Sequence, residues 1–193
     1  MSTLNELRQK IINDKENEAY TKSGIMPLYQ ASNNSKILII GQAPGLKAQN
    51  KNKLFDDDSG NTLREWLGLN NDEFYNPDLV AILPMDFYFP GVGKTGDLPP
   101  RKNFSDKWHK EFLKIMPNIK LTILIGNYAL KHYLKDGYNK NLTETVRNYQ
   151  SYLPQTFPLI HPSKRNFRWH LKNKWFIDEV IPKLQTIIKE ILK

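Results

Sequence analysis

The stretch Lys36-Ile37-Leu38-Ile39-Ile40-Gly41-Gln42-Ala43-Pro44-Gly45 decides the fold. Lys36 to Ile40 is an apolar run dominated by β-branched residues and closed by Gly41. A strand with one wet face alternates polar and apolar residues, whereas an unbroken apolar run reads as a strand buried on both faces. Three more short runs have this character: Leu79 to Leu83, Leu121 to Ile125 and Phe157 to Ile160. Helical periodicity fills the intervals. Leu63, Trp66 and Leu67 share a face in Thr62–Leu69, and Trp108, Phe112 and Ile115 share one behind Ser105, an expected N-cap. Asn127 to Leu134 and Trp175 to Leu192 read as further helices, with Pro182 kinking the latter or lying near its start. Leu4, Leu7, Ile11 and Ile12 predict an amphipathic helix from residue 3 to about residue 19. Buried strands alternating with helices predict an α/β fold, a three-layer α/β/α sandwich around a short central four-stranded parallel sheet.

Composition narrows the chemistry. The 193 residues form one expected domain, 1–193, long enough to bury a core. Twenty-eight Lys and Arg against 20 Asp and Glu give a net charge of +8, which points toward a polyanionic partner. The chain has no cysteine, so disulfides, thiolate zinc sites, cysteine-ligated iron–sulfur clusters and cysteine nucleophiles are excluded. His109, His132, His161 and His170 show no metal-ligand spacing, and neither metal nor cofactor is expected. No segment approaches the ~20 apolar residues of a membrane span. Met1 to Lys15 is mixed in charge and lacks a signal peptide's apolar region, so a soluble, cytoplasmic monomer is the expectation.

In open parallel sheets, ligands bind outside the carboxyl ends of the strands. Three strands here run into unusual loops: Gly41-Gln42-Ala43-Pro44-Gly45, the Pro/Gly-rich segment Met85 to Asn103, and His161-Pro162-Ser163. The first matches neither a Walker loop nor a dinucleotide fingerprint, but its glycines let a backbone approach a ligand closely. The last opens a segment, 161–175, with five Lys or Arg, no acid and two tryptophans. Cations interleaved with aromatics suit a phosphate backbone and its bases. Trp169 and Trp175 also suit core packing.

The pair Gly41-Gln42-Ala43-Pro44-Gly45 and His161-Pro162-Ser163-Lys164-Arg165-Asn166 resembles the two signature motifs of the uracil-DNA glycosylase superfamily. Leu54-Phe55 followed by Ser59-Gly60, and Phe89-Pro90-Gly91 followed by Gly96-Asp97 and Pro99-Pro100, resemble further segments of that family. The resemblance spans residues 36 to about 180 and implies hydrolysis of the N-glycosidic bond of uracil, or a related deaminated base, flipped out of DNA. It implies roles as well. Phe55 would stack on the base, in a pocket shared with Gly41 and Ala43. His161, helped by backbone near Gln42, would stabilise charge developing on the leaving base. Pro44, Gly45, Ser163, Lys164, Arg165 and Asn166 would contact the DNA.

The chain departs from the family pattern where some branches carry the water-positioning carboxylate, which is Ala43 here. Asp57 is the expected substitute from the run Asp56-Asp57-Asp58. Asp86 is the expected substitute for the family's base-reading Asn. Two alternatives stay open on the residues: a DNA-binding member with weak or no catalysis, and an unrelated α/β enzyme acting on a small ligand.

Overall fold

A computed structural model describes residues 3–94 and 96–193. Met1 and Ser2, at the start of the mixed-charge N-terminal stretch, and Thr95, within the Pro/Gly-rich loop, lie outside the described residues. Four strands, β1 Ile37–Ile40, β2 Val80–Ile82, β3 Leu121–Ile125 and β4 Thr156–Leu159, form one sheet in the order β2-β1-β3-β4. Every pairing is parallel, with Ile37 opposite both Val80 and Leu121, and Ile123 opposite Phe157. Pro158, which has no N–H to give, lies on the edge strand β4.

All four β1 residues are buried, and their alternation feeds two cores. Helices preceding and following β1 are α1 Leu4–Ile12, α2 Glu18–Lys22, α3 Leu46–Lys51, α4 Asp58–Leu67 and α5 Asn71–Phe74. Beyond β2 come α6 Phe104–Ile115, α7 Gly126–Leu134, α8 Leu142–Arg147, α9 Phe167–Lys172 and α10 Ile181–Leu192. Ile37 and Ile39 pack with Leu63, Trp66, Phe176 and Leu184, the layer of α4 and α10. Leu38 and Ile40 pack with Leu7, Ile11, Trp108, Phe112 and Leu130, the layer of α1, α6 and α7. The expected three-layer α/β/α sandwich with its short parallel sheet is therefore the observed fold.

Element ends differ from the sequence expectation for local reasons. The first helix stops at Ile12, because Asp14 accepts from the Glu16 amide and starts a separate 3-10 turn at Lys15–Asn17. Buried Asn17 then donates its amide to the Ile11 carbonyl at 2.7 Å. Helix α4 begins at Asp58 rather than Thr62, since Asp57 caps it by accepting from the Gly60 N–H. Ser105 is not a cap: Asn103, in the left-handed region at φ 61°, precedes α6, and Ser105 is buried inside it. Pro182 sits in the first turn of α10, after a wide π turn at Phe176–Val180.

Helix α6 carries a buried polar contact that supports the exit of β2. His109 Nε2 lies 2.9 Å from the Pro84 carbonyl, and its Nδ1 lies 2.6 Å from the Tyr133 hydroxyl. A carbonyl only accepts, so Nε2 carries the proton and Nδ1 accepts from Tyr133. The neutral ring satisfies both partners, and burial lowers its pKa from 6.5 to about 4. The unfolded chain takes up that proton first, so stability is lost as the pH falls from about 6.5 toward 4, by on the order of 3 kcal/mol. Urea denaturation of wild type and His109→Gln should show the gap between their midpoints narrowing across this pH range. A gap independent of pH would refute the assignment.

Candidate active site

The carboxyl ends of all four strands converge on one cavity of about 180 Å³. Gly41 to Gly45 from the β1 exit form one wall, Pro84 and Ile125 contribute from β2 and β3, and His161 stands beyond β4. The loops are tied to each other rather than merely adjacent. The Gly41 and Gln42 carbonyls accept from the Met85 and Asp86 amides, at 2.8 and 3.2 Å. The Gln42 side chain donates to the Leu98 carbonyl at 2.9 Å, which anchors the Pro/Gly-rich segment to the first loop. Gln42, whose backbone is expected near the departing base, thus also braces a loop through its side chain.

Phe55 forms an aromatic wall, and its backbone is unusual. It lies in the left-handed region at φ 54°, a conformation that non-glycine residues seldom adopt. Its carbonyl accepts from Arg64 Nη1 and from the Tyr75 hydroxyl, each at 3.1 Å. Tyr75 also donates to the Leu54 carbonyl at 3.0 Å. Arg64 is buried, lies over the Phe74 ring at 5.4 Å and donates to Asn61 at 2.6 Å. Phe74 meets the Phe55 ring edge-on, with centroids 6.1 Å apart. On the cavity side, a Cβ built on Gly41 would lie 3.9 Å from the Phe55 ring. The strained turn is therefore over-determined, as a strained backbone must be to persist.

The three consecutive aspartates have separate duties. Asp56 pairs with Lys51 at 2.8 Å, and the Lys51 ammonium holds its pKa below the ordinary carboxylate value. Asp58 pairs with Lys164 at 2.7 Å, which lowers its pKa likewise. Asp57 alone lines the cavity, with Oδ1 engaged by Gly60 N–H at 2.9 Å. Asp86 does not reach the cavity lining. It is wholly buried in a bidentate pair with Arg101, at 2.7 and 2.8 Å, and also accepts from Tyr88 N–H. A charge buried beneath β2 requires such a partner, and pairing leaves Asp86 no free edge to read a base. A carboxylate missing from the expectations lines the cavity instead: Asp97, from the Pro/Gly-rich segment.

His161 stands at the mouth, its Cβ 3.8 Å from where a side chain on Gly126 would begin. Desolvation pushes the imidazole pKa below its ordinary value, Asp57 raises it in part, and Arg165 lowers it further. At neutral pH the ring is an uncharged hydrogen-bond donor.

Residues 28–185 match the uracil DNA glycosylase superfamily. The chain belongs to that superfamily. Its fold is similar to a solution NMR structure of a candidate uracil DNA glycosylase from Methanosarcina acetivorans, with a TM-score of 0.51 and 14% identity. The likeness covers 86% of this chain and 99% of the other.

In this superfamily member the loop after β4 is held by its own side chains. Ser163 accepts from Arg165 N–H at 3.2 Å, and Asn166 donates to the His161 carbonyl at 2.6 Å. Lys164, Arg165, Phe167 and Arg168 are exposed. Trp169 and Trp175 pack against the core, and Trp169 donates to Thr143 at 2.8 Å, so core packing accounts for both rings. A Cβ added at Gly60 would fall 1.7 Å from the Phe55 carbonyl oxygen. Gly60→Ala should force the first turn of α4 away from Phe55 and destabilise the protein by ~1–3 kcal/mol, the usual cost of overpacking. A urea midpoint unchanged by this substitution would contradict the close approach.

Proposed function

We propose that this chain hydrolyses the N-glycosidic bond of uracil, or of a related deaminated base, extruded from DNA. The observation that carries this reading is one cavity, in a superfamily member, with an aromatic wall at Phe55 and the imidazole of His161 at its mouth. A base inside a duplex hides its glycosidic bond, so it must be flipped into a pocket before the bond can break. Phe55 stacks on the flipped base, between the backbone of Gly41 and Ala43 and the opposite wall.

As the bond breaks, positive charge builds on the sugar and negative charge on the base. His161 donates a hydrogen bond to the developing anion. A neutral donor suits this role, because it stabilises the anion without first attracting a carboxylate that would quench it. Backbone near Gln42 supplies further stabilisation on this reading. Pro44 and Gly45 line the strand path. Ser163, Lys164, Arg165 and Asn166 meet the phosphates and the gap left in the stack, with exposed Phe167 beside them. The net charge of +8 favours the same polyanion. Residues 1–193 act as one domain and as a cytoplasmic monomer on this reading. The two cores share one sheet, and among the described residues no helix is long and apolar enough to cross a membrane.

Incubation with oligonucleotides containing uracil, hypoxanthine or xanthine should leave abasic sites without strand cleavage. His161→Ala should slow single-turnover release by ~10²–10³-fold. The acid limb of the wild-type rate should lie below pH 6.5, since the neutral imidazole persists there. No base release from any of the three substrates, in single or double strands, would overturn the reading. Salt-sensitive binding without release would instead mark a DNA-binding member that has lost its chemistry.

Affinity for DNA should also fall with salt. Arg165→Ala and Arg168→Ala should each reduce the slope of log K against log salt concentration by about 1, because each variant leaves one phosphate without its cation. Slopes equal to wild type would place the phosphates elsewhere.

A further inference from the structure

Hydrolysis of a glycosidic bond needs a group to orient the attacking water and accept its proton, and the first loop provides only Ala43 for that task. Two carboxylates line the cavity, Asp57 and Asp97. Asp57 has one oxygen engaged as the cap of α4, so its orientation serves the helix start.

Asp97 is different. It makes no side-chain hydrogen bond or ion pair among the described residues, and its Oδ2 lies 3.8 Å from where a Cβ on Gly45 would be. It is held there by a tight hairpin. Leu98 N–H donates to the Gly91 carbonyl at 2.9 Å, Gly93 N–H to the Gly96 carbonyl at 2.6 Å, and Val92 bridges Asp97. Gly91 and Gly96 take positive φ, 108° and 152°, and side chains at Gly91 and Gly93 would press on Leu98 at 3.2 and 3.3 Å. Gln42 fixes the far end by donating to the Leu98 carbonyl at 2.9 Å. Arg165 reaches the same hairpin, with Nη1 3.7 Å from a Cβ built on Gly96. An exposed aspartate in a hairpin ordinarily turns to bulk solvent; this one is turned over a cavity and anchored from below.

We infer that Asp97 is the carboxylate that orients the attacking water. This rests on the glycosylase reading, in which Gly45 lies along the sugar and strand path. The water oxygen forms its bond to C1′ of the deoxyribose as the bond from C1′ to the base nitrogen breaks. That electron pair leaves with the base, whose anion accepts the hydrogen bond of His161. The water proton passes to Asp97 and from there to solvent, while the base takes a proton from solvent. The products are a neutral free base and an abasic sugar.

The test is single-turnover release of uracil by wild type, Asp97→Asn, Asp57→Asn and Asp97→Ala, with affinity for the same oligonucleotide measured by fluorescence anisotropy. General-base catalysis contributes ~10²–10⁴-fold, so Asp97→Asn should lose at least ~10²-fold in rate while affinity stays within a few-fold. Asp57→Asn should keep more activity than Asp97→Asn. Added formate should restore part of the rate of Asp97→Ala and none of His161→Ala, a response that a merely structural role for Asp97 would not produce. An Asp97→Asn enzyme that retains more than a tenth of the wild-type rate, or a rate loss matched by lost affinity, would overturn the assignment and leave the glycosylase reading intact. A wild-type protein that releases no base from any of the substrates would overturn both.

Discussion

Strand β1 has no polar face, and most of the architecture follows from that constraint. Ile37 and Ile39 need one layer of helices, Leu38 and Ile40 need another, and both edges of β1 need partners. Parallel neighbours connected through those helices meet all three demands. Parallel strands then deliver every exit loop to the same rim. The order β2-β1-β3-β4 sends the chain first to one side of β1 and then to the other, so the rim parts between β1 and β3. Gly41 and Ile125 flank that parting and line the cavity.

A second constraint is the ion pair beneath β2. Asp86 and Arg101 are bidentate, and Arg101 Nη1 continues to the Glu16 carbonyl and the Asn17 side chain, both at 2.9 Å. The guanidinium also lies 4.3 Å from the Phe104 ring centroid. Removing either partner of a buried pair commonly costs about 3–5 kcal/mol, because the other charge is stranded. The pair fixes both ends of the segment that carries Asp97, and it ties that segment to the turn after α1. The N-terminal helices therefore support the cavity without lining it.

Features that arise from burial on a regular element are legible in the sequence. The four strands are legible because each is a short apolar run, and α6 because Trp108, Phe112 and Ile115 recur on one face. Helix α3 is not, since none of its residues is buried and Leu46 is 48% exposed. Helix α8 also escapes, although Asn141 followed by Glu144 carries its cap. At the site, Phe55, Asp57 and His161 line one cavity. Asp86 does not join them, because its partner Arg101 lies fifteen residues away in an irregular loop. Asp97 cannot be placed from spacing: its direction depends on a hairpin set by Gly91, Gly93 and Gly96. Nor does any periodicity announce the left-handed turn at Phe55, although Gly60 five residues on is its steric counterpart.

The cavity joins parts of unequal permanence. Its rear wall, Gly41, Pro84 and Ile125, hangs on buried strands and on the enclosed contact between His109 and Pro84. Its front includes Asp97 and His161, which are carried on loops rather than on strands. Elements with many buried contacts open at free energies approaching that of global unfolding, whereas loops with few such contacts open locally. On the glycosylase reading, the half that would fix the position of the nucleotide is built into the sheet, and the half that would receive it is carried on connecting loops.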